Sequence, residues 1–419
     1  MIAIVTMCFI FAMISFVTNM AAPFGNIWGY TYEWSGFMGN MMNFLAYLFM
    51  GIPAGKMLMK IGYKKTTLVA LAIGLLGLVI QFLSSKFGAG VEVFTYKEQP
   101  VALNLIIYLL GAFVCGFCVC MLNTVVNPML NILGGGGNKG NQLIQTGGTL
   151  NSLTGTLTPM LVGVLIGTVT ESTSMSDVTP LLFIGMAIFA IAFIIIMLVK
   201  IPEPGLERGV GKEVKYEYSA WKFRHFVLGA IAIFFYVGVE IGIPNEMNQY
   251  ITKLGFEGSA AIAGFLAASY WFLMLIGRFS STLLSGKVST RTQMIVVSSV
   301  AIVFLLIAIL MPESITMTLK GGQVPTKCLF IAACGLCTSV MWGAIFNLAA
   351  EGLGKYTAPA SGIFMTLVCG GGIIPFVQGL LADKIGSVQS YWFLVACLCY
   401  LVFYAIIGSK NVNKDIKVD

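Results

Sequence analysis

Charge is scarce in this chain. Only 10% of its 419 residues are Asp, Glu, Lys or Arg, and it has a single histidine. A soluble domain of this length carries far more polar surface. No cluster of His, Cys and acids has metal-ligand spacing, and no phosphate-binding glycine loop or nucleotide domain is present. These absences exclude ATP-driven work, predict that the chain is not an enzyme, and imply no cofactor. The first apolar run lacks a basic leader and a small-residue cleavage site, so it is expected to stay in place. Short alternating segments are also missing, which excludes a membrane β-barrel.

What remains is apolar. Residues of the hydrophobic classes make up 58% of the chain, and mean hydropathy is +0.91. Runs long enough to cross a bilayer as helices fall at 2–24, 36–59, 65–85, 101–126, 140–168, 179–199, 222–244, 259–285, 291–311, 327–350, 358–381 and 388–408. The expected fold class is an all-α membrane protein with twelve transmembrane helices. Its 48 glycines suit close helix packing in lipid. All ten cysteines lie in or at the ends of these runs. Cys115-x-x-Cys118 and Cys334-x-x-Cys337 therefore read as small, polarizable packing residues.

The few charges set the topology. Lys56, Lys60, Lys64, Lys65, Lys139, the loop 200–224, Lys287, Arg291, Lys355 and Lys410 all fall on one side. Lys86, Lys97, Lys253, Lys320, Lys327 and Lys384 fall on the other. The richer side is cytoplasmic by the positive-inside rule, which places both termini there. The net charge of +7 is thus a topology signal and not a nucleic-acid surface.

The loop around Pro202-Glu203-Pro204 divides the runs into six and six. The expected organisation is an N-terminal half at 1–200, a linker at 201–221, a C-terminal half at 222–408 and a tail at 409–419. The halves echo each other in order. Asn19 precedes Pro23 as Glu240 precedes Pro244. Gly55-Lys56 matches Gly277-Arg278, Gly116-Phe117-Cys118 matches Gly335-Leu336-Cys337, and Pro159 with Gly163 matches Pro375 with Gly379. Each proline strips the carbonyl four residues earlier of its helical donor. Pro23, Pro244, Pro159 and Pro375 so free the carbonyls of Asn19, Glu240, Gly155 and Gly371. In lipid such groups must find protein, water or ligand.

The polar residues inside the runs are mostly amides: Asn19, Asn43, Asn123, Asn127, Gln145, Asn151, Asn347 and Gln378, with Trp342 among them. Amides donate and accept, as sugar hydroxyls do. A neutral polyhydroxylated solute is the expected substrate, because an anion would call for buried Arg or Lys. Arg278 is the nearest such residue, and it reads as close to the cytoplasmic end. Trp28 reads as an interfacial belt residue, and His225 as interfacial too. Trp271, Trp342 and Tyr270 offer flat faces for a sugar ring. For each amide, helix–helix hydrogen bonding is the competing use. Glu240 is the one acid read as lying well inside a run. At the bilayer centre a charge costs roughly 2.5–3.5 kcal/mol, so it is expected to face a cavity and to carry ion coupling.

Several segments look familiar together. Gly51-Ile52-Pro53-Ala54-Gly55-Lys56 with Met59-Lys60-Ile61-Gly62-Tyr63-Lys64-Lys65 resembles the loop after the second helix of the major facilitator superfamily. Asn123-Thr124-Val125-Val126-Asn127-Pro128, Asn151-Ser152, Tyr236-Val237-Gly238-Val239-Glu240, Gly277-Arg278-Phe279 and Glu351-Gly352-Leu353-Gly354-Lys355 resemble its fucose–galactose–proton symporter branch. The resemblance spans nearly the whole chain. It implies a six-plus-six rocker-switch fold, a small neutral sugar as partner and an inner-membrane location. The chain is expected to act as a monomer in the lipid bilayer. Asn19 and Asn123 stand where the branch has acids, and neither carries a proton. Coupling would then fall to H+ at Glu240, to Na+ through amide and carbonyl oxygens, or to no ion at all. A facilitator, a sugar sensor and a carrier of another neutral polar solute are the alternatives.

Overall fold

The computed structural model describes residues 2–166, 172–203, 217–413 and 415–416. Side chains at 21–23, 26, 33, 159–160, 162–164, 166 and 260 lie outside the description. So do the expected linker from Pro204 to 216, the end of the fifth run, and the Pro23 and Pro159 side chains.

The helices in chain order are α1 (Ile2–Thr31), α2 (Met38–Ser84), α3 (Leu103–Leu133), α4 (Gly137–Ile166), α5 (Thr179–Leu198) and α6 (Arg224–Lys253). Then come α7 (Ser259–Leu284), α8 (Thr290–Leu310), α9 (Lys327–Ala350), α10 (Thr357–Thr366), α11 (Gly370–Ile385) and α12 (Ser387–Phe403). Ten described helices are long and apolar enough to cross a membrane. α2 holds two of the expected runs, and α4 is the expected fifth, its hydropathy lowered by Asn, Gln and Thr. α10, a 3-10 turn at Leu367–Cys369 and α11 make the expected eleventh crossing. Large apolar side chains such as Phe49, Phe183, Leu198 and Phe376 stand exposed on these helices, as a lipid-facing surface requires.

Two compact units emerge. The first comprises Met1–Met129, Leu153–Lys215 and Ser361–Thr366. The second comprises Leu130–Ser152, Tyr216–Ala360 and Leu367–Asp419. In the first, α2 packs on α1 and α5. In the second, α6 and α9 are central, with α7, α8, α11 and α12 around them.

The break inside α2 has a clear cause. Gly62 adopts φ +84, where L-residues are strained. The Glu203 carboxylate then accepts from the backbone N–H groups of Tyr63, at 2.6 Å, and Lys64, at 3.1 Å. An acid is favourable at the start of a helix, where N–H groups lack partners. Lys64 Nζ in turn donates to the carbonyls of Met197 and Val199 at the end of α5.

The paired glycines of the two halves do the same job. A Cβ on Gly116 would lie 2.6 Å from the Asn43 carbonyl oxygen of α2, and one on Gly335 would overlap the Tyr270 carbonyl of α7. Backbones cross there at a distance only glycine allows. The cysteines behave as packing residues: nine are buried, and Cys399 is exposed.

Four short strands were not expected. β1 (Glu92–Tyr96) pairs with β2 (Gln99–Ala102), and β3 (Thr316–Leu319) with β4 (Gly322–Pro325), both antiparallel. Lys97 and Glu98 turn the first hairpin, and Lys320 and Gly321 the second, all at positive φ. That is the two-residue turn whose twist matches paired strands. The first hairpin links α2 to α3 and the second links α8 to α9. They occupy corresponding places in the two halves.

α6 also differs from expectation. The apolar run stops at Pro244, but the helix continues to Lys253. The carbonyl freed by Pro244, that of Glu240, accepts from the Tyr270 hydroxyl at 3.1 Å. Next to the proline, the Ile243 carbonyl accepts from the Tyr391 hydroxyl of α12 at 2.9 Å. Pro128 in α3 follows the same rule. It frees the Thr124 carbonyl, and the Ser361 hydroxyl fills the gap at 3.0 Å.

Candidate functional site

The charged centre of the second unit is built on α6, α7 and the first half of α4. Glu240 sits near the middle of α6. Arg278 lies six residues before the end of α7, about 9 Å along its axis. Its Nη2 donates to Glu240 Oε1 at 3.2 Å. Its Nη1 donates to the Gly148 carbonyl at 3.1 Å, Asn151 Oδ1 at 3.2 Å and Ser152 Oγ at 2.9 Å. Both side chains of the ion pair are about nine-tenths buried.

Arg278, expected near a helix end, lies within two turns of one, and its side chain is buried in an ion pair. It gives Glu240 a charged partner inside the unit. The Glu240 carbonyl, one of the oxygens considered for Na+, is already occupied by Tyr270. Tyr270 does not offer a free ring face. It is fully buried, its hydroxyl lies 2.8 Å from Thr338 Oγ1, and its ring meets Trp271 edge-on.

Several amides of this unit join helices. Gln145 Nε2 donates to the Val340 carbonyl of α9 at 2.8 Å. Asn347 Oδ1 accepts from Asn131 at 2.7 Å, and its Nδ2 donates to Thr290 Oγ1 at 3.2 Å. Asn141 donates to Ser285 Oγ and Gln142 to the Thr282 carbonyl. Residues 130–152 are thereby tied to α7, α8 and α9 along one polar seam. Trp342 is half-buried, 6.4 Å from the Tyr236 ring. Gln378 is buried on α11 and donates to Ser390 Oγ at 3.4 Å.

In the first unit, α3 brings Asn123 and Asn127 together one turn apart. Asn123 Nδ2 donates to the Tyr47 hydroxyl at 2.9 Å, and Asn127 Nδ2 to the Asn123 carbonyl at 2.9 Å. Asn43, one turn before Tyr47 on α2, is buried with an Oδ1 that no described residue satisfies. Asn19 donates to the Ser15 carbonyl at 2.8 Å and to its hydroxyl at 3.0 Å.

Two rings read as interfacial are enclosed by protein. Trp28 is 3% exposed and packs 5.6 Å from the Tyr108 ring. His225 is buried as well, its Nε2 at 2.8 Å from the Glu351 carbonyl. Sequence reasoning missed Asn131 and Asn141, and a second buried acid, Glu246, which is 2% exposed. The loop-like Gly134–Gly137 run and the proline at 244 hid them. A helix-periodic count continued through those breakers would have found them.

A family model described as Major Facilitator Superfamily matches residues 2–376. A glucose/galactose transporter of Brucella abortus is 30% identical over 374 residues, covering 88% of this chain and 84% of that one. The L-fucose-proton symporter of Escherichia coli is 24% identical, covering 86% and 81%. A crystal structure of the E. coli fucose:proton symporter superposes with a TM-score of 0.80 at 19% identity, covering 98% of this chain and 99% of that one.

Proposed function

Since this chain belongs to the Major Facilitator Superfamily, we propose that it carries a neutral monosaccharide inward across the bacterial inner membrane by alternating access, in symport with H+ or Na+. One observation carries the mechanism. Residues 130–152 precede the mid-chain loop, yet they cluster with the helices that follow it, and a seam of hydrogen bonds joins them. A polar seam can part and be rewetted at modest cost, whereas separating a large apolar interface exposes it to water. Alternating access asks for such a contact between two six-helix halves, here 1–200 and 222–408, with both termini cytoplasmic and one chain as the working unit.

The substrate class rests on the relatives' names and on chemistry. The interior is rich in amides, which match hydroxyls in both directions. Asn43, Asn123, Asn127 and Asn151, with Trp342, are the groups we assign to the sugar. Gln145 and Asn347 serve the seam. Glu240, held by Arg278, is the group we assign to H+ coupling. Its proton would come from the outside and leave to the cytoplasm, while Arg278 turns to its three acceptors on α4.

The test is uptake of labelled glucose, galactose and fucose into proteoliposomes under an imposed proton or sodium gradient. Accumulation of at least one sugar above its equilibrium level is expected with one of the two gradients. Counterflow without accumulation would remove the coupling. No movement of any of the sugars would overturn the reading.

A further inference from the structure

The second buried acid lies on α6, six residues beyond Glu240. Glu246 lies on α6, one turn beyond Gly242, and is 2% exposed. No described residue donates to its Oε1. Its carboxylate also interacts with the Ser387 side chain at the start of α12. Gln378 of α11, 1% exposed, has an Oε1 without a donor among the described residues. That oxygen rests on Gly242, where a Cβ would come within 2.5 Å of it. Glycine is what lets the amide oxygen lie against α6.

The hydroxyls nearby cannot supply the missing protons. Ser390 donates to the Ser387 carbonyl at 2.7 Å, and Tyr391 to the Ile243 carbonyl at 2.9 Å. The Gln378 amide nitrogen is directed at Ser390 Oγ. Ser387 thus serves one side of the Glu246 carboxylate, while Glu246 Oε1 and Gln378 Oε1 find no donor among the described residues. Two buried oxygens left without a hydrogen bond are each expensive. Two separate breaches on one helix face call for a shared explanation. Lys253 acts on the Glu246 carboxylate through charge alone and supplies no hydrogen bond to Oε1. Lys253 of α6 pairs with Asp383 of α11 at 3.7 Å on the exposed rim.

We propose that Glu246, Gln378 and the Ser387 hydroxyl form a binding site for a small monovalent cation of the Na+ type. Hard cations take oxygen ligands in this way. One carboxylate matches one positive charge, and the remaining ligands are neutral oxygens from three helices. The site is distinct from Glu240, and it stands whether or not the substrate is a sugar.

The experiment is equilibrium binding of radiolabelled sodium to the purified full-length chain in detergent, without sugar. Wild type is expected to bind saturably, with displacement by unlabelled Na+ and not by choline. Glu246→Gln should abolish binding. Ser387→Ala, a change at a half-exposed helix start that leaves folding intact, should weaken it by about tenfold. Sodium binding in Glu246→Gln at wild-type affinity, or no saturable binding to wild type, would overturn the proposal. If Glu246→Gln does not fold, an unchanged affinity in Ser387→Ala overturns it equally. Because sugar is absent, failure here leaves the transport reading standing.

Discussion

Removing Arg278 should cost more than removing Glu240, and removing both should cost less than the sum. The two groups are 3.2 Å apart. At an effective dielectric near 20 their attraction is ~5 kcal/mol. Desolvation offsets part of that, yet breaking a buried pair on one side still costs about 3–5 kcal/mol, because the other charge is stranded. The structure makes the two sides unequal. In Glu240→Gln the arginine keeps Gly148, Asn151 and Ser152 as acceptors, and the Gln oxygen still accepts from Nη2. The expected loss is at the low end, about 3 kcal/mol or less. In Arg278→Met a carboxylate is left buried and three acceptors on α4 lose their donor. There the loss should reach about 5 kcal/mol. The double variant strands no charge, so a favourable coupling of at least ~2 kcal/mol is expected from the cycle. Denaturation of the four purified proteins in one detergent measures it. Additivity within ~0.5 kcal/mol would show that the two side chains do not act as a pair, and the coupling role given to Glu240 would lose its structural basis.

Other outcomes follow from the same contacts. If protons drive uptake through Glu240, Glu240→Gln should lose accumulation in proteoliposomes but keep downhill exchange; continued accumulation under a proton gradient alone would refute this. Asn127→Leu should weaken sugar binding by about 1–3 kcal/mol in calorimetric titration without loss of folded protein, and unchanged affinity would move the site off α3. Tyr270→Phe should destabilise by about 1–3 kcal/mol through the orphaned Glu240 carbonyl. Pro244→Ala in the same chain should recover much of that loss by restoring a helical donor, so equal melting of single and double variants would count against it. Glu203→Ala should speed hydrogen exchange at Tyr63 and Lys64, with a loss of about 1–2 kcal/mol; unchanged exchange would mean the carboxylate does not hold the kink.

The sequence by itself determined the class, the helix count and the internal duplication. These follow from composition and from the 20-residue length a bilayer demands. The glycine pairs were legible for the same reason. A crossing backbone or a missing N–H is a local fact about one residue type, and Gly116 with Gly335 bears that out. The polar residues themselves were visible, because an amide in an apolar run stands out. Their partners were not. Whether Gln145 meets a ligand or the Val340 carbonyl, and whether Arg278 points to solvent or to Glu240, depends on residues 195 and 38 positions away in the chain. Helix periodicity says nothing about such pairs. Glu246 was lost because Pro244 reads as a terminator. The helix survives it because the Tyr270 hydroxyl of α7 replaces the missing backbone donor. The hairpins escaped because strands this short carry too little pattern. Composition and length fix which segments enter the bilayer. Only the packed helices decide which buried polar group faces which, because a hydrogen bond is settled by geometry within a few tenths of an ångström.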